Sequence, residues 1–79
     1  MMTKDKVKEL IEAGVKCDII EVKGDDGVHF EAIIVSPDFE GLSMLKQHKL
    51  VYATLGDRLQ TEEIHALALK TYTPAQWSK

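Results

Sequence analysis

Three histidines and one cysteine are the side chains of this 79-residue chain best suited to hold a metal. His65 lies in Glu63-Ile64-His65-Ala66-Leu67-Ala68-Leu69-Lys70-Thr71-Tyr72-Thr73-Pro74. Period-2 spacing with a β-branched and aromatic finish predicts a strand here, and Pro74, which lacks an N–H, should end it. His65 would then share a side with Leu67 and Leu69. If those leucines face a core, the imidazole sits at its rim, held by packing below and open above. A histidine so placed is more often a hydrogen-bonded neighbour of the core than a ligand. His29, directly before Phe30, is predicted at the end of a hairpin. It gains chemical interest only if His65 lies across from it. His48 falls in the basic run Lys46-Gln47-His48-Lys49. The single cysteine, Cys17, allows no internal disulfide and no all-cysteine metal site within one chain.

Composition bounds what these residues can serve. A chain of this length buries only about 60% of the surface its unfolded form exposes, and is expected to be a single domain over residues 1–79. With 44% hydrophobic and 29% charged residues it reads as globular rather than disordered. No apolar run approaches the roughly 20 residues that span a bilayer, and Met1-Met2-Thr3-Lys4-Asp5-Lys6 does not resemble a signal peptide. With the lone thiol, this predicts a reducing, cytoplasmic setting and no membrane partner. The net charge is −3, but residues 1–40 carry five lysines against ten acids, and residues 41–79 carry five cations against three acids. Overall acidity argues against tight nonspecific nucleic-acid binding, which depends on neutralising phosphates. A small basic patch in the second half remains compatible with it.

The elements that must position these residues follow in order. Thr3 is a helix cap, and Val7, Leu10 and Ile11 fall at i, i+3 and i+4, predicting a helix over residues 4–13 that Gly14 ends in the left-handed conformation. Cys17-Asp18-Ile19-Ile20-Glu21-Val22-Lys23 reads as a strand opened by Cys17. Gly24-Asp25-Asp26-Gly27 is hairpin chemistry, its two glycines accepting positive φ. Its two carboxylates are too few for a calcium site. His29-Phe30-Glu31-Ala32-Ile33-Ile34-Val35-Ser36 is the second strand, apolar on both sides from Ala32 to Val35 and so central. Ser36-Pro37-Asp38 turns the chain. Leu42, Leu45, Val51, Tyr52, Leu55 and Leu59 recur at near-helical spacing, predicting a short turn at residues 42–46 and a helix over 47–59, weakened by Gly56. Lys46 and Lys49 place cations at its first turn, against the helix dipole. Pro74-Ala75-Gln76-Trp77 reads as a closing turn whose tryptophan folds back.

The order is α-β-β-α-α-β-α: an α+β class, with three strands backed by helices on one face. There is no P-loop, dinucleotide glycine pattern or Gly-x-Ser-x-Gly elbow. Ser36, Ser43 and Ser78 have no neighbouring histidine–acid pair, and no deep pocket is in prospect. The residues alone point to a small binding module, not an enzyme.

Together with the element order, Phe39-Glu40-Gly41, Gln47-His48-Lys49-Leu50-Val51-Tyr52 and the block from Ile64 to Pro74 resemble the BolA family over nearly the whole chain. The C-terminal block is the most specific part. The resemblance implies a type II KH-like (BolA-like) fold with a three-stranded mixed sheet. It implies a monothiol glutaredoxin as partner, and a [2Fe–2S] cluster shared at the interface. The glutaredoxin brings a cysteine and a bound glutathione thiolate. The BolA-like chain brings the histidine of the C-terminal block, here His65, and a second ligand from the loop between the first two strands, here His29. Such a chain would be a monomer or weak homodimer alone and would not hold the cluster unaided. Imidazole in place of thiolate makes one side of a cluster more labile, and it ligates only when neutral, so binding should weaken in acid. The alternative the family offers is a regulator that binds duplex DNA, with Lys46, His48, Lys49 and Lys70 as contacts. Against it, the Gly-x-x-Gly loop of KH domains is absent, and the family's Arg-His-Arg is softened to Gln47-His48-Lys49.

Overall fold

The amphipathic start of the chain folds as expected. In the computed structural model, which describes residues 2–24, 26–27, 29–58, 64 and 66–78, helix α1 spans Lys4–Gly14. The Lys6 N–H donates to Thr3 Oγ1 at 3.1 Å, closing one of the open donors of the first turn. Val7 and Ile11 are fully buried. The end of α1 differs from expectation. Gly14 is its last helical residue and does not take positive φ; Val15 follows with φ −131° and donates its N–H to the Ile11 carbonyl at 2.9 Å. Glycine is used at position 14 for closeness: a Cβ there would lie 2.6 Å from Thr54 Cγ2 of the neighbouring helix.

Strand β1 (Ile19–Lys23) and strand β2 (His29–Val35) pair antiparallel, with Ile19 opposite Val35 and Lys23 opposite Glu31. β1 starts two residues after Cys17, not at it, although the Asp18 N–H still donates to the Val35 carbonyl at 2.8 Å. Of the hairpin's two glycines only Gly27 has positive φ, at +79°. Gly24 is required by space instead: a Cβ there would sit 2.5 Å from the Phe30 ring and 2.8 Å from the His29 carbonyl.

After β2 the chain makes a 3₁₀ turn, Pro37–Phe39, capped by Ser36, and then helix α2, Met44–Thr54, capped by Ser43. The helix therefore begins three residues before the expected 47 and stops at Thr54. Gly56 takes φ +62°, which ends the helix rather than weakening its middle; Leu59 lies outside the described residues. Leu45 is not a core residue: it is 64% exposed and its neighbour Met44 69%. Gln47 is buried in its place.

Strand β3 (Ala66–Tyr72) pairs parallel to β2, giving a mixed sheet of order β1-β2-β3 with β2 central. Ile64 breaks the expected alternation. It is fully buried in the same core as Leu67, and its N–H donates to the Arg58 carbonyl at 3.2 Å. Helix α3, Pro74–Trp77, closes the described chain with a capping box between Thr73 and Gln76. Trp77 stacks at a tilt on Tyr72, ring centroids 5.3 Å apart.

α1 and α2 cover one face of the sheet. Phe30, Ala32, Ile34 and Leu67 meet Val7, Ile11, Val51, Leu55 and Phe39 there, all buried. The other face, by the period-2 alternation of strands, carries exposed Glu21, Lys23, His29, Glu31, Ala66, Ala68 and Lys70. No helix among the described residues is long and apolar enough to cross a membrane.

Candidate functional site

β2 and β3 run parallel, so the starts of both strands lie at one end of the sheet. His29 opens β2 and is in register with Ala66, the residue that follows His65 in the chain. His65 itself lies outside the described residues. The hairpin aims His29 through Asp26. The His29 backbone N–H donates to Asp26 Oδ1 at 2.8 Å, and ring atom Nδ1 lies 2.7 Å from Oδ2 of the same carboxylate. An ionised carboxylate only accepts hydrogen bonds, so Nδ1 carries a proton, and whenever the ring is neutral Nε2 holds the lone pair. The ring is therefore held in one tautomer by an acid three residues upstream, with half its side chain exposed to solvent.

An open cleft of about 640 Å³ begins beside this ring. Gly24, Phe30, Ala66 and Ala68 give it apolar walls, and Lys4, Lys23, His29 and Glu31 line it with charge and a nitrogen donor.

Cys17 stands at the opposite end of the sheet, beyond Ile19, which pairs with Val35. It is a half-buried thiol donating to the Val15 carbonyl at 3.3 Å. Burial raises its pKa from 9.0 to about 11, with the charges of Glu12, Asp38 and Asp18 adding to the effect. At neutral pH it is a packed, protonated thiol. Among the described residues no three His, Cys, Asp or Glu side chains converge as a metal site. A metal or cluster held at this cleft would therefore need donors beyond the described residues of this chain.

The four basic positions divide between two surfaces. Lys46, His48 and Lys49 lie on α2, which packs over the inner face of the sheet. Lys70 projects from the outer face, 3.8 Å from Glu31. The inner residue beside it, Thr71, is what meets α2: its hydroxyl donates to Gln47 Oε1 at 2.7 Å. Gln47 Nε2 donates in turn to the carbonyls of Leu42 (3.0 Å) and Phe39 (3.4 Å). Gln47 read as one of a basic run, yet it is the polar pin between α2, β3 and the turn before α2. Its spacing four residues before Val51 was the available signal.

This mixed sheet, helix-backed on one face and carrying a histidine-lined cleft at one end, defines an α+β module of the type II KH-like, BolA-like class. The chain belongs to the BolA family: the model of that family, BolA-like protein, matches residues 11–76. It is 32% identical to the acid stress protein IbaG of Escherichia coli, over 99% of this chain and 92% of that protein. It is 33% identical to the DNA-binding transcriptional regulator BolA of Escherichia coli, over 98% of this chain and 81% of that one. Among solved structures, a BolA homologue from Coxiella burnetii superposes with a TM-score of 0.85 at 45% identity, each chain covered completely.

Proposed function

We propose that this protein is a non-enzymatic iron–sulfur trafficking adaptor, which binds a monothiol glutaredoxin and co-ligates a [2Fe–2S] cluster through His65 and His29. The observation that carries the reading is the His29 imidazole, oriented by Asp26 at an open cleft whose wall includes Ala66, next in sequence to His65. The sulfur ligands belong to the glutaredoxin and its glutathione, since Cys17 is protonated and at the far end of the sheet. Nitrogen ligation on this side makes the cluster easier to hand on than to store.

Mixing the protein with a cluster-loaded monothiol glutaredoxin and recording visible absorption and circular dichroism tests this. The spectra should change with wild type, change less with His29→Ala, and stay those of the glutaredoxin alone with His65→Ala. Unchanged spectra with wild type, or the same change with His65→Ala, overturn the proposal.

The relative described as a DNA-binding regulator supports a second reading, a duplex-DNA binder using Lys46, His48, Lys49 and Lys70. The split of these residues between α2 and the outer sheet face favours the first, because one duplex would have to meet both surfaces. Saturable binding that weakens steeply with salt and with Lys49→Ala would favour the second.

A further inference from the structure

We infer that Asp26 is a positioning residue for the site: its carboxylate holds the proton of His29 on Nδ1 and so presents Nε2 as the nitrogen that meets the cluster. The inference rests on the adaptor reading for its purpose, but its geometry stands on the chain alone. Asp26 makes two bonds to one residue. Oδ1 accepts the His29 backbone N–H at 2.8 Å, which fixes where β2 begins. Oδ2 accepts Nδ1–H at 2.7 Å, which fixes the ring. Without the carboxylate a neutral imidazole exchanges its proton between both nitrogens and turns about its side-chain bonds. A metal-ligating histidine generally donates its second ring N–H to such an acceptor, which sets the tautomer and strengthens the donor nitrogen. The charges lining the same cleft are Lys4, Lys23 and Glu31, and Glu31 lies 3.8 Å from Lys70 on the outer face. Asp26, which contacts the ring, lies in the hairpin itself, three residues before His29.

Asp26→Asn separates the two bonds. The amide oxygen can still accept the backbone N–H, so the turn is kept, but the charged acceptor for the ring is lost. Long-range proton–nitrogen NMR of the imidazoles, on the full chain without partner at a pH where histidine is neutral, reads the tautomer directly. Wild type should show His29 protonated on Nδ1, and Asp26→Asn should move a large part of the population to Nε2–H. In the glutaredoxin mixture, Asp26→Asn should weaken cluster sharing about 10- to 100-fold, the range usual for loss of such a partner. A wild-type His29 protonated on Nε2 overturns the inference, as does an Asp26→Asn chain that keeps both the wild-type tautomer and the wild-type cluster spectra. Should wild type fail to alter the glutaredoxin spectra, the adaptor reading falls, and the ligand role given to Asp26 falls with it. The partner-free NMR measurement still decides whether Asp26 sets the ring, so the two failures are distinguishable.

Discussion

The two ends of the sheet are built on opposite terms. At the end where β2 leaves the sheet, Val35 and Ser36 are buried, the Ser36 N–H donates to the Tyr72 carbonyl at 3.0 Å, and Thr71, Gln47, Leu42 and Phe39 form one hydrogen-bonded chain. Every described buried side-chain nitrogen and oxygen has a partner. At the other end His29, Ala66 and Ala68 are exposed, glycine stands where Phe30 and the His29 carbonyl crowd the backbone, and the polar atoms face a cleft. A satisfied polar network in low dielectric specifies one arrangement. At this end the exposed His29 imidazole takes its direction from the Asp26 carboxylate rather than from a buried network. The difference separates the end that holds the fold from the end that carries the candidate site.

Disrupting the closed end should therefore cost stability, while altering the open end should cost binding. Phe39→Ala empties a fully buried aromatic site and should lower unfolding free energy by about 3–5 kcal/mol, read from denaturant melts. Thr71→Val keeps the shape but leaves Gln47 Oε1 buried without its donor. It should cost about 1–3 kcal/mol, seen as a lower urea midpoint with an unchanged slope. Cys17 gives a smaller, alkaline effect. Its pKa is raised in the fold to about 11, so between pH 9 and 11 the folded chain holds a proton that the unfolded chain releases. Its contribution to stability is full below about pH 9 and fades as pH rises through 11. Wild type should lose stability over that window faster than Cys17→Ala, and alkylation of the thiol at pH 8 should be more than tenfold slower in the folded chain than in urea. His29→Ala should change stability least, within about 0.5 kcal/mol, because its side chain is largely exposed. A loss of several kcal/mol there would erase the contrast between the two ends.

Much of the fold was legible because it rests on local and periodic signals. Thr3 caps α1, Val7 and Ile11 face inward, β2 is central, and Pro74 follows the last strand, all as spacing and turn chemistry dictate. The misreadings came where tertiary contact overrode a local rule. Leu45 sat in a helical apolar pattern yet is exposed, and Gln47 sat in a basic run yet is buried, because its amide finds three partners supplied by residues 39, 42 and 71. Gly14 read as a left-handed helix stop and Gly24 as a positive-φ hairpin residue, but both serve close packing.

The order of elements, the hairpin and the candidate histidines follow from residue types and their periods, which depend only on near neighbours along the chain. That β3 lies parallel to β2 with Ala66 beside His29, and that Asp26 turns one ring nitrogen away from its carboxylate, are matters of register and angle. Those arise only when distant segments pack against one core, since no local spacing encodes which residue a strand finds across from it.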